Sequence, residues 1–268
     1  MLWPVRPPEE AQIFAPEFPP KMEWLNVPFL RMAGMLDRRA VMVEFFDTAR
    51  INSHRTLPYL QRWLARYAEH GLRVVGVHTP AYSFGRDRDT VEEATRAMGI
   101  DHPVLLDPDF LVWKLYGNRG WPGRYLFDRR GQLRYIHYGE GDYAEAERAI
   151  VEVLSELDDA ALSDPPEPLI PLRREDEDDT LLEPQTADLL LPAQRERVEL
   201  TGDWTDGEDY IEAALPGATA TARWTGGEAY AVLSGTVEAG LHETEGTVEA
   251  TAAGLRLHGF QFTPRAPV

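Results

Sequence analysis

The sequence predicts an α/β domain, a central mixed sheet with helices on both faces, followed by a small all-β sandwich. Three observations carry this. Across residues 1–157, short β-branched or aromatic runs alternate with amphipathic helical patterns. Across residues 193–268, short runs are separated by Gly-rich turns with no helical period. Charge also breaks sharply: residues 1–157 carry 20 basic and 22 acidic side chains, residues 158–268 only 7 against 23. The break coincides with residues 158–192, where six prolines and the run Glu175 to Asp179 oppose regular structure. That stretch reads as an acidic, solvated linker between domains at 1–157 and 193–268.

In chain order, Val41 to Phe46 and Arg73 to Val77 are runs suited to strands buried on both faces. Between them Leu57, Leu60, Trp63, Leu64 and Tyr67 recur at helical steps, and Gly71 supplies the stop, which makes a right-handed parallel βαβ unit. Thr90 to Glu93 reads as a capping box opening a second helix that Gly99 closes. Val104 to Leu106 follows as a short strand, and Phe110 to Tyr116 as a helix. Tyr125 to Phe127 and Leu133 to Tyr138 flank Asp128-Arg129-Arg130-Gly131, a hairpin signature. Asp142 is placed to cap a last helix whose apolar stripe runs from Tyr143 to Leu157. In the second domain strands are expected at 198–200, 210–213, 219–224, 229–233, 247–251 and 255–262. About 75 residues is little material for a sandwich, so support from a neighbour or a homo-oligomer is expected.

The 268 residues contain no cysteine, which excludes disulfides, thiolate catalysis and cysteine-ligated metal. A net charge of -18 disfavours nucleic acid and anionic membrane surfaces as partners. No secretory signal pattern and no span of about 18 apolar residues is present, so a cytoplasmic location is expected.

Several blocks carry a family resemblance: Glu23-Trp24-Leu25-Asn26, Arg55 to Tyr59, Gly76 to Pro80, Tyr116 to Pro122 and His137 to Tyr143. With these the first domain resembles the thioredoxin-like domains of the TlpA and DipZ group, members of the redoxin superfamily. Leu200 to Thr205 and Gly259-Phe260-Gln261-Phe262 are similar to the sandwich, jelly-roll-like and akin to a carbohydrate-binding module, that follows in DipZ proteins.

The resemblance implies a C-x-x-C pair at the entry to the first helix, where a helix N-terminus favours the attacking thiolate. Aligned from Arg55-Thr56-Leu57-Pro58, those positions are Arg50 and Ser53. A helix terminus contributes about 0.3–1 kcal/mol, up to ~2, and one pKa unit takes about 1.4 kcal/mol. The field therefore leaves a serine hydroxyl far above neutrality. Thiol–disulfide exchange is not expected, and Ser53 reads as a helix-start residue. The resemblance also implies a cis-proline loop at Trp121-Pro122, whose backbone would receive an extended peptide or protein partner by strand addition. Arg50, Ser53, His54, Arg55, Trp121 and Pro122 are the candidate binding residues, the arginines and His54 as a positive patch for an anion.

Seven histidines show no H-x-x-x-H or H-E-x-x-H spacing, so no metal is expected, and no phosphate-binding loop or other cofactor motif is present. Trp204, Tyr210, Trp224 and Tyr230 are the candidates for stacking on a glycan, although a small sandwich needs about half of them inside. The leading expectation is a redox-inactive binding or scaffolding module, not an enzyme. The alternatives are a carbohydrate-binding protein and an enzyme with unrelated chemistry at His54 or Asp47.

Overall fold

A computed structural model describes residues 12–157 and 167–267. The N-terminal stretch 1–11 and the first part of the expected linker, 158–166, lie outside the described residues. The chain divides into two compact units that do not follow chain order. One comprises residues up to Asp47, Asn52–Thr79 and Arg96–Asp178; the other comprises Thr48–Ile51, Pro80–Thr95 and Asp179–Val268.

The first unit is built on β1 (Glu23–Leu25), β2 (Ala40–Phe46), β3 (Leu72–His78), β4 (Val104–Leu106), β5 (Gly123–Phe127) and β6 (Leu133–Tyr138). They form a six-stranded mixed sheet in the order β1-β4-β3-β2-β5-β6. β2, β3 and β4 run parallel, while β1 pairs antiparallel with β4, β5 with β2 and β6 with β5. The helices are α1 (Met32–Met35), α2 (Ile51–Tyr67), α3 (Arg88–Ala97), α4 (Leu111–Tyr116) and α5 (Tyr143–Ser155); α1, α2 from Asn52 on, α4 and α5 belong to this unit, whereas α3 up to Thr95 belongs to the second. Strand alternation sorts the core. Ala40 and Met42 face α2 and α5 through Leu60, Trp63, Ile150 and Val153, whereas Val41, Val43 and Phe45 face α1 and α4 through Met32, Met35 and Val112. Both faces of β2 are covered, which is why its sequence is apolar throughout.

Two caps differ from the sequence reading. α3 starts at Arg88, and the side chain that caps it is Asp87, whose Oδ2 accepts from the Thr90 N–H and Oγ1 at 2.8 and 2.7 Å. Asp142 precedes α5 in the left-handed region without a side-chain cap, because its carboxylate pairs with His137 at 3.1 Å. α4 begins one residue later than expected, with its Val112 and Trp113 amides taken by the Asp107 carboxylate at 3.0 and 2.9 Å.

The acidic stretch after residue 166 is not a uniformly solvated spacer. Asp176 is buried, accepts from Tyr59 Oη at 2.8 Å and ion-pairs with Arg173 at 2.9 Å, while Leu169 and Leu172 join the α2–α5 core. Both carboxylate oxygens of buried Glu147 are used there, one by Tyr67 Oη and Arg66, the other by the Leu169 N–H.

The second unit contains β7 (Leu189–Leu190), β8 (Val198–Thr201), β9 (Trp204–Asp206), β10 (Ile211–Ala213), β11 (Thr219–Ala222), β12 (Ala229–Ser234), β13 (Gly240–Thr244), β14 (Thr247–Glu249) and β15 (Arg256–Phe262). One sheet runs β13-β12-β15-β10-β9, with β7 also pairing β15; the other runs β14-β11-β8. All pairings are antiparallel, as a sandwich requires. β7, β9 and β13 were not anticipated. β7 falls inside the stretch read as linker, and its two residues gain their ladder only from β15, so local pattern carries no trace of it. Among the described residues no helix is long and apolar enough to cross a membrane.

Candidate functional site

The register Phe45↔Gly123 between β2 and β5 places Pro122 at the C-terminal end of β2, the end at which the chain turns into α2. The Trp121–Pro122 peptide bond is cis. Trp121 is half-buried: its indole Nε1 donates to the Thr79 carbonyl at 2.9 Å, and its ring lies 4.5 Å from that of Trp113. Ser53, in the first turn of α2, is buried, and its Oγ accepts from the Asp47 N–H at 3.2 Å. It is held as a local hydrogen-bonding residue. Asp47 is itself 1% exposed.

Of the three cationic residues offered as a patch, Arg55 and Arg50 each have a carboxylate partner. Arg55 Nε donates to Glu140 at 2.7 Å, with Asp176 3.9 Å from Nη2. Burial pushes the Glu140 carboxyl up, and the Arg55 guanidinium opposes it. Arg50 belongs to the second unit, where its Nη1 donates to Asp188 at 2.8 Å and its guanidinium lies 5.6 Å from the Tyr82 ring centroid. Each guanidinium is thus paired with a carboxylate of its own unit. His54 is half-buried between them in sequence.

The groups that organise this region most strongly were not singled out from the sequence. The first is Glu44, on the helix-facing side of β2. It is 3% exposed and ion-pairs with Arg124 of β5 at 3.2 Å, itself 1% exposed. The Arg124 guanidinium lies 5.0 Å from the Trp63 ring and 5.6 Å from the Tyr143 ring. Burial pushes the Glu44 carboxyl up, and Arg124 holds it back. Ser53, Glu44 and His102 share the lining of a small pocket with Phe46 and Leu57. Burial depresses His102 to about 4, so it is neutral there. A charged residue inside the apolar run Val41 to Phe46 was the available signal, since such a residue survives only with a buried partner.

The second is Gln261 of β15, 1% exposed. Within the second unit its Oε1 accepts from the Ile51 N–H at 2.8 Å, and its Nε2 donates to the Ala49 carbonyl at 2.7 Å and to Tyr82 Oη at 3.1 Å. A carboxamide thus takes both peptide groups that flank Arg50, including one of the orphan amides that open α2. Ala49, Tyr82 and Val232 form the apolar cluster beside it.

Of the four aromatic residues offered for glycan stacking, Trp204 is buried in the sandwich core and Trp224 stacks on Phe262 at 5.9 Å. Tyr210 is half-buried against Arg256, 4.6 Å away, and Tyr230 Oη donates to Glu228 at 2.8 Å. Two therefore serve packing. No group of three or more His, Asp or Glu side chains able to hold a metal occurs among the described residues.

No family model matches the chain. It is 35% identical over 144 residues to Protein DipZ of Mycobacterium tuberculosis (strain CDC 1551 / Oshkosh), a match covering 53% of this chain and 21% of the relative. The chain thus spans about a fifth of that protein. It is 24% identical over 143 residues to the Thiol-disulfide oxidoreductase YkuV of Bacillus subtilis (strain 168), covering 53% of this chain and 95% of the relative. Among solved structures, the thioredoxin-like superfamily protein SPOA0173 superposes with a TM-score of 0.50 at 25% identity, covering 55% of this chain and 98% of its own. The sheet order, the α2 start and these likenesses converge: over about half its length the chain has a thioredoxin-like fold and is similar to the redoxin domains of Protein DipZ and YkuV, and it carries no cysteine.

Proposed function

We propose that the chain is a redox-silent thioredoxin-fold module that acts by binding or scaffolding a protein partner. One observation carries the reading: the two positions of the thiol pair hold Arg50 and Ser53, and both are spent on structure, Arg50 on Asp188 and Ser53 on the Asp47 amide. Thiol–disulfide exchange needs a thiolate to attack and a second thiol to resolve the mixed disulfide. A chain with no cysteine supplies neither. The Gln261 carboxamide on Ile51 and Ala49 supports the same reading, because the α2 amide that would stabilise a thiolate has an internal acceptor.

The partner this reading favours is an extended peptide laid against the backbone beside Pro122, which requires no sulfur. In an insulin-reduction assay with dithiothreitol, turnover equal to buffer alone is expected, and turnover above it overturns the reading. Capture of a partner by the wild-type chain and its loss on Trp121→Asp, with unchanged melting, is the outcome for the groove. Equal capture by both dismisses that face.

A further inference from the structure

β6 closes one edge of the sheet, and its side chains alternate between buried and half-buried. A strand face that meets water carries polar residues, yet the half-buried positions toward the strand's end are Ile136 and Tyr138. They wall a cavity of about 320 Å³, together with Ile13 and Phe14 of the N-terminal segment, Leu115 of α4 and Phe127 of β5. Ile13, Phe14 and Leu115 are each about half exposed, an arrangement that leaves apolar surface waiting for an apolar occupant. The volume is about twice the ~150 Å³ at which a dry cavity takes benzene, which is room for one ring and a short chain.

Hydrogen-bond accounting fixes the polar end. A phenol has one proton. Tyr125 Oη gives its proton to Asn118 Oδ1 at 3.2 Å, so across the 3.1 Å contact between the two hydroxyls Tyr138 must donate to Tyr125. Tyr116 Oη gives its proton to the Pro16 carbonyl at 3.1 Å. The hydroxyls of the lining therefore have no donor left. Arg119 is exposed at the rim and has no hydrogen-bond or ion-pair partner among the described residues, so five donors and a positive charge remain there. Arg119 is the one charged side chain in the lining of this cavity, whereas Arg55, Arg66, Arg124, Arg134 and Arg148 of the same unit are ion-paired.

We propose that this cavity binds a small amphipathic anion, an aryl or branched-chain carboxylate whose apolar body fills the space beneath Ile136 and Tyr138 and whose carboxylate meets Arg119. Charge selects the class: on a chain of net charge -18 a general attraction for anions is absent, so an anion settles only where an unpaired guanidinium adjoins apolar surface. The site is independent of the α2 start and of the proposed role there.

The probes are 4-phenylbutyrate and its uncharged analogue 4-phenylbutan-1-ol, titrated by calorimetry and by amide shifts. The acid should bind saturably, with shifts at Leu115, Ile136 and Tyr138, and the alcohol about tenfold more weakly, the worth of a charge-assisted hydrogen bond. Arg119→Gln should erase that difference without weakening the alcohol, and Ile136→Trp should abolish both. Equal affinity of the two probes for the wild-type chain, no saturable binding at millimolar concentration, or shifts elsewhere overturns the proposal. The wild-type comparison decides even where a variant fails to fold.

Discussion

Replacing Arg124 by methionine leaves the Glu44 carboxylate, 3% exposed, without its counter-charge between the Trp63 and Tyr143 rings. Removing one partner of a buried ion pair costs about 3–5 kcal/mol. A carboxylate so placed escapes by taking a proton, because burial already pushes Glu44 above its ordinary range and Arg124 is what holds it back. The cost of Arg124→Met should therefore depend on pH. A carboxyl raised in the folded state contributes its stability below the unfolded pKa of about 4.3 and loses it as pH rises through the folded value, at about 1.4 kcal/mol per unit. The destabilisation should be small near pH 4 and grow toward pH 8. The double change Glu44→Leu with Arg124→Met removes both charges and should return to within about 1–2 kcal/mol of wild type, with no such pH slope. Urea unfolding followed by tryptophan fluorescence, with Trp63 0% exposed and against Arg124, measures four proteins: wild type, Arg124→Met, Glu44→Leu and the double variant. Additive costs, with the double variant as unstable as the sum of the singles, would refute the reasoning.

Gln261→Leu removes the acceptor of the buried Ile51 N–H, and a loss of about 1–3 kcal/mol is expected, with faster hydrogen exchange at the Ile51 amide as its local signature. An unchanged exchange rate there would sink this. The change Arg50→Cys with Ser53→Cys should confer partial insulin-reducing activity if the frame survives; a folded variant with no turnover means the surroundings of the helix start have diverged with the thiols. His102 is depressed by burial to about 4, so the unfolded chain binds its proton first: stability is full above pH 6.5 and is lost as pH falls toward 4, by roughly 3 kcal/mol. His102→Leu should flatten that limb of a stability–pH curve, and a curve parallel to wild type would show that the group is not buried as described.

Local signals made much of the first unit legible before any coordinates. The β2 and β3 runs, the α2 stripe from Leu57 to Tyr67 and the hairpin turn at Asp128–Gly131 each lie within a few residues of their own cause, and each stands where the sequence reads it. The loss of the thiols is likewise a statement about composition, fixed by the chain having no cysteine. Tertiary structure alone decided the partners. Gln261 meets Ala49 across 212 residues, Arg50 meets Asp188 across 138, and Glu44 meets Arg124 across 80. Asp142 abandons a cap for His137, and Asp87 takes the capping that Thr90 advertised. The reason is common to all of them. A side chain's period, turn chemistry and volume are properties of its neighbours in sequence, whereas the destination of a buried charge or amide depends on which distant group is desolvated beside it, and that is settled only when the sheets close.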